Sequence, residues 1–173
     1  MRLELSPDSR VLIELRATGL LRAVAHDPIL VARPEPLVLE VPDGEIDVPV
    51  EARFRVDAIE PPADIDASDR EKMRDNMRGR DVLDAARFPT VAMRGRYRGN
   101  AERGRLEGEL EIRGKAHRVA MDVSVTREWD VRIATGAWEG RLTELGIKPF
   151  KALLGALRLE DWVRLRIDAR FRT

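Results

Sequence analysis

The sequence predicts an all-β domain of antiparallel strands, on three observations: a nearly perfect two-residue alternation at the C-terminal end, the same rhythm upstream, and turn chemistry between the alternating runs. From Trp162 to Arg172, Val163, Leu165, Ile167, Ala169 and Phe171 fall on one side, and Arg164, Arg166, Asp168, Arg170 and Arg172 on the other. An extended chain turns successive side chains to opposite faces, so this strand is apolar on one face and charged on the other. Val11, Ile13 and Leu15 alternate with Glu14 and Arg16, and Phe54 and Val56 with Arg53, Arg55 and Asp57. Leu106, Leu110 and Ile112 alternate with Arg105, Glu107, Glu109 and Glu111, and Val119, Met121, Val123 and Val125 with Arg118, Asp122 and Ser124. Antiparallel sheets can leave one face solvated, which is what this pattern requires.

Taken in order, strands are expected near residues 2–6, 10–18, 29–33, 36–41, 47–58, 91–98, 104–114, 117–126, 129–142 and 161–172. Pro-Asp-Gly at 42–44, Gly99-Asn100 before Gly104, and Gly114-Lys115 supply turns between them. Ser68 and Glu71 form a capping-box pattern, Met73 and Met77 share a face at helical spacing, and Gly79 offers a stop, which predicts a helix over 69–78. A second helical piece is expected in PFKALLGAL, where Pro149 suits a first turn and Phe150, Leu153, Leu154 and Leu157 make an apolar stripe. Each helix would cover an end or flank of the sheet.

At 173 residues the chain is most simply one domain, 1–173, large enough to fold around its own core. It has no cysteine, which excludes disulfides, thiolate metal sites and cysteine nucleophiles. Its 31 basic and 31 acidic residues interleave along the strands, leaving no footprint for nucleic acid; the arginines near the end read as a solvated strand face. No segment approaches the ~20 apolar residues that cross a bilayer. The start, MRLELSPDSR, lacks the apolar core of a secretory signal, so the chain as written is expected in the cytoplasm, or in the periplasm or outside if a leader has been trimmed.

Chemical motifs are missing. There is no GxSxG, no GxGxxG and no phosphate loop. Asp64, Asp66 and Asp69 alternate like the start of a calcium loop but lack its glycine and distal glutamate in place. His26 and His117 are the only histidines, so no metal site is expected. His26-Asp27 is the one local pair suited to acid–base work, and is read as structural or as a polar contact to a ligand head group. Trp129, Trp138 and Trp162 read as core or rim anchors, with Trp138, among small residues in ATGAWEG, reaching the interior.

This many antiparallel strands close into a barrel or split into a packed sandwich, and alternation alone leaves both open. Only eight residues are aromatic (three Trp, one Tyr, four Phe), so a barrel lined by Val, Leu, Ile, Ala and Met would retain room for one apolar guest.

Four stretches decide between them by resemblance: RVLIEL at 10–15 with TGLLRAVAHDPIL at 18–30; SDREKMRDNMRGRDVLDAARFPTVAMRG at 68–95; LEGELEIRGKAHRVAMDV at 106–123; and RLTELGIKPFKALLGALRLEDWVRLRID at 141–168. In this order they resemble the YceI-like family. The resemblance implies an extended, eight-stranded, lipocalin-like antiparallel barrel with one or two short helices, binding long amphiphiles such as polyisoprenoids or fatty-acid derivatives. Arg113 stands where the family often has His, and His117-Arg118 where it often has Lys-Pro. The reading that follows is non-catalytic binding of a polyisoprenoid, quinone-like or fatty-acid guest, with no cofactor beyond that bound lipid. The expected lumen residues are Val11, Ile13, Leu15, Phe54, Val56, Met93, Leu110, Val119, Met121, Val123, Trp138, Phe150, Leu154, Leu165 and Ile167, with His26 and Asp27 as polar contacts. Competing readings are a lipid-modifying enzyme using His26 and Asp27, and a protein–protein scaffold such as a homodimer joined at strand edges.

Overall fold

The computed structural model describes residues 1–19, 27–152 and 157–173. Its strands are β1 (Arg2–Leu5), β2 (Arg10–Thr18), β3 (Ile29–Ala32), β4 (Val38–Glu40), β5 (Ile46–Arg55), β6 (Thr90–Gly99), β7 (Arg103–Ile112), β8 (Lys115–Glu128), β9 (Val131–Gly140), β10 (Lys151–Ala152) and β11 (Leu157–Arg172), with helix α1 (Ala67–Arg78) between β5 and β6. Eight strands run side by side in the order β3-β2-β11-β9-β8-β7-β6-β5, while β1 joins β11 to β4 and β10 lies on β11. All pairings are antiparallel, and the sheet curls into the expected barrel.

The curl follows from small residues at crowded positions. Gly95 and Gly108 lie opposite each other in register, and a Cβ on Gly108 would strike Arg94 O and come within 2.5 Å of Gly95 Cα. Strands that approach this closely can coil without a side chain between them. Two residues close the β7–β8 hairpin, Arg113 and Gly114, both with positive φ, which suits a tight turn whose twist matches the strands. Between β6 and β7, Asn100 Oδ1 accepts the N–H groups of Glu102 and Arg103 at 2.9 and 3.0 Å.

The outward rows form ion pairs across neighbouring strands. Asp47 on β5 meets Arg96 and Arg98 on β6, Arg94 reaches Glu111 on β7, and Arg105 reaches Asp122 on β8. The arginine beside each carboxylate lowers the pKa of Asp47 (led by the Arg96 hydrogen bond) and of Glu51 (led by the Arg53 hydrogen bond). The inward rows are aliphatic, and Leu106, Leu110, Val119, Met121 and Val163 are buried among them.

Three expectations need correction. Helix α1 begins two residues earlier than the Ser68 pattern implies, because Asp66 is the N-cap and its Oδ1 accepts the Asp69 N–H at 2.8 Å. The helix expected in PFKALLGAL does not start there: Lys151 and Ala152 form a strand paired with Arg158 and Leu157. Ladder bonds to β11 satisfy that backbone and override the helical spacing; Leu153 and Leu154 lie outside the described residues. Trp129 is not an anchor. It sits at the β8–β9 tip with φ +56 and is 93 % exposed, because Glu128 and Val131 already pair across the two-residue turn and leave its side chain no surface to pack on. Trp162 does fit the anchor role on the outer face, with its indole N–H donated to Glu139 Oε1 at 2.8 Å and the Arg16 guanidinium 3.7 Å from its ring centre.

Candidate functional site: an apolar lumen

The barrel is hollow. Its inward rows surround a cavity of about 1000 Å³. Alternation places Val11, Ile13 and Leu15 of β2 and Leu165 and Ile167 of β11 on this wall, opposite one another in register. Phe54 of β5, Met93 of β6, Leu110 of β7, and Val119 and Met121 of β8 continue it, and Phe150 lies toward one end. Large inward side chains are scarce, so these modest ones meet the cavity rather than each other.

Other expected positions fall elsewhere. Val56 is fully buried in a 3₁₀ turn after β5, where its N–H is donated to Pro89 O, and it belongs to solid core. Val123 points inward but is 4 % exposed within a packed end of the barrel; glycines 104 and 136 oppose it in register, so the strands close around it. Trp138 also faces inward opposite Leu165, yet its indole leans along its own strand toward Gly140, where a Cβ would come within 2.6 Å of Trp138 Cζ2. It packs on the core beside the lumen instead of lining it. His26 and Leu154 lie outside the described residues. Asp27 borders the cavity, but its Oδ1 accepts the Ala17 N–H at 2.9 Å, a bond that ties the chain entering β3 to the end of β2.

Several wall residues lie outside the lumen set expected from the sequence. Met73 and Met77 of α1 turn toward the cavity, as do Leu142, Leu145 and Ile147 from the segment after β9. With Met93 and Met121, the methionines contribute four thioethers to the wall. The 142–147 segment is pinned to β11 by Asp161, which accepts the Thr143 N–H at 2.9 Å and the Thr143 hydroxyl at 2.6 Å. Those bonds hold the Asp161 carboxyl below its usual range. No periodicity marks such a segment; only its isolated leucines hint at burial.

Polar groups border the cavity mainly at its ends. Asp27, Asp64, Asp69, Lys72, Asp75, Asn76, Lys148 and Arg158 gather where α1 and the 147–150 segment cross it, and Ser9 and Arg10 lie toward the start of β2. Ser9 is engaged: its hydroxyl accepts the Arg170 N–H at 2.9 Å. Among the described residues no three His, Asp or Glu side chains converge as metal ligands, and no helix is long and apolar enough to cross a membrane.

A curled antiparallel sheet around an apolar space, with a helix after the fifth strand, matches a known architecture. The sequence profile of the YceI-like domain fits residues 39–171. The chain belongs to the YceI-like family. Solved structures agree on the fold: Burkholderia cenocepacia BcnA superposes with a TM-score of 0.68 at 14 % identity, covering 94 % of this chain and 95 % of that one. A Campylobacter jejuni YceI protein gives 0.55 at 12 % identity, covering 91 % and 84 %. A mutant of that protein carrying a monobromobimane guest gives 0.57 at 11 % identity with the same coverage. No curated protein matches this chain in sequence. The YceI-like profile begins within β4, so β1 to β3, which supply part of the lumen wall, lie before the matched span.

Proposed function

We propose that this YceI-like protein binds a long hydrophobic or amphiphilic molecule, of polyisoprenoid, quinone-like or fatty-acid character, inside the barrel, and carries, stores or sequesters it without chemical change. The observation that supports this reading best is the wall itself: a cavity of about 1000 Å³ lined by aliphatic side chains and thioethers, with charged groups confined to its ends. Water in such a space finds few partners, whereas a hydrocarbon chain fills it without leaving polar groups unpaired. The volume holds about thirty water-sized groups at ~30 Å³ each. Each methylene moved from water into it gains about 0.8 kcal/mol, against roughly 4–15 kcal/mol for immobilising a partner. Short chains therefore gain little, and chains of about twenty carbons bind well. A polar end would rest among the charged groups at the rim.

No turnover is needed for this role. Asp27 already accepts the Ala17 N–H, so the His26-Asp27 pair has one carboxylate oxygen committed to holding the backbone. The direct test is mass spectrometry of an organic extract of the purified protein, followed by titration of the stripped protein with long-chain fluorescent probes. Saturable one-to-one binding that strengthens with chain length is expected. Stripped, folded protein that binds no long-chain probe would remove the proposal.

A further inference from the structure

Every junction in the eight-strand path is a ladder except the one that closes the barrel. The β5–β6, β7–β8 and β9–β11 junctions each pair ten residues from strand to strand. Between β3 and the β5 side, the described residues provide one isolated bridge, Val31 with Glu60, and one further backbone bond. Val31 N–H donates to Glu60 O at 3.0 Å, Glu60 N–H to Val31 O at 2.8 Å, and Glu35 N–H to Arg53 O at 2.8 Å. Across this seam the side chains add the Arg33–Glu60 ion pair, with both partners nearly half exposed, and the attraction of Glu35 for Arg53 and Arg55; such exposed pairs are weak and screened by salt.

Proline limits the seam on both flanks. Pro34 and Pro36 follow β3, whose ladder to β2 ends at Ala32 after four pairs. Pro61 and Pro62 follow Glu60 directly, so pairing cannot continue past the bridge. Pro49 sits within β5 opposite Arg96, and because it has no N–H to give, it removes one donor from the strand's free side. The residues that flank the seam also face the lumen: Leu30, Ala32 and Pro34 on one side, Val50, Ala52 and Phe54 on the other. At the end of the barrel, by contrast, α1 and the segment after β9 cross the cavity with Met73, Met77, Leu142 and Leu145, so a long chain entering there would have to thread past them.

We propose that the β3–β5 seam is a lateral door through which the guest enters and leaves sideways. The inference rests on the binding role proposed above. Breaking three backbone bonds exposes the length of the lumen at once, while every other junction stays zipped. The cysteine-free chain makes the test clean. Val31 and Glu60 form a hydrogen-bonded antiparallel pair, whose Cα atoms stand about 5.5 Å apart, within disulfide reach. Neither residue lines the cavity, so Val31→Cys with Glu60→Cys locks the seam without filling the lumen.

Uptake of a long-chain fluorescent probe by stripped protein is followed in time, oxidised and reduced. The expected result is uptake at least about tenfold slower when oxidised, restored by reductant, with equilibrium affinity within about twofold. A control pair, Arg96→Cys with Glu107→Cys across the β6–β7 ladder, shows no such dependence. Equal rates in the two redox states overturn the door and leave the binding role standing; no uptake by either form or by the unsubstituted chain overturns both. Independently of any substitution, hydrogen exchange on the native chain is expected to show the amides of Val31, Glu35 and Glu60 exchanging at least about a hundredfold faster than ladder amides of β7 and β8. Equal protection overturns the proposal.

Discussion

Leu165→Trp separates a hollow barrel from a packed one. Leu165 lies on the lumen wall, opposite Ile13 on one neighbour and Trp138 on the other, with open cavity before it. The substitution adds about six heavy atoms, carried by a large rigid ring. In a filled core that insertion costs about 1–3 kcal/mol, which for a chain of this size lowers Tm by roughly 2–12 °C. Facing about 1000 Å³ of free space, the indole extends into the lumen and Tm should move by less than about 2 °C. The room it takes comes from the guest. Displacing about two to three methylenes at about 0.8 kcal/mol each weakens binding by about 2 kcal/mol, or roughly 15- to 50-fold in Kd. The assay is a paired one: thermal unfolding by circular dichroism, and titration with a long-chain fluorescent probe. A Tm drop above about 6 °C with unchanged affinity would refute the reasoning, since it would mean that the ring met packed side chains and not the guest's space.

Four further outcomes follow from particular contacts. Gly108→Ala places a methyl against the Arg94 carbonyl and Gly95, all backbone, so Tm should fall by about 2–12 °C, and a neutral result would show that the strands can separate there freely. Asp66→Ala removes the α1 cap and should cost about 1 kcal/mol in chemical denaturation, whereas Ser68→Ala should be silent; the reverse order would restore the Ser68 capping box. Trp129→Gly relieves a left-handed backbone at a tip where the side chain packs on little, and should stabilise the fold by about 1 kcal/mol, so a loss of stability would mean that the indole has a partner. Asp47, Glu51 and Asp161 all hold pKa values below 3.8, 4.5 and 3.8 respectively, the values they have when unperturbed. Their contribution to stability is complete above those unperturbed values and is lost as pH falls through the lower folded ones; Tm should stay flat from about pH 7 to 5 and drop below about pH 4, and a rise on acidification would contradict the assignment.

The barrel was legible because its information is local. Alternation along β2, β8 and β11 needs only neighbouring residues, and it assigned Val11, Ile13, Leu15, Val119, Met121, Leu165 and Ile167 to the face that borders the lumen. Alternation states which face a residue occupies, not how deep the space before it is. Val123 and Trp138 share the inward face yet meet packed neighbours, because the glycines opposite or beside them let the backbone close in. The apolar spacing of 150–157 reads as a helix in isolation, and at Lys151 and Ala152 tertiary pairing with β11 makes a strand instead. Asp66 and Ser68 are both good caps two residues apart, a choice that local chemistry leaves balanced. The seam joins residues far apart in sequence, so nothing near Val31 announces Glu60; the prolines around both are the one local signal there.

The thioethers of Met73, Met77, Met93 and Met121 give the wall a chemical vulnerability that an all-aliphatic one would lack. Peroxide reaching the interior converts each to a sulfoxide, a bulkier and strongly polar group. In a chain without thiols, these sulfurs have no cysteine nearby to react in their place. Under the binding role proposed above, oxidative damage would thus spoil the greasy surface from within and weaken its hold on a guest, while the outer lattice of paired charges still keeps its shape.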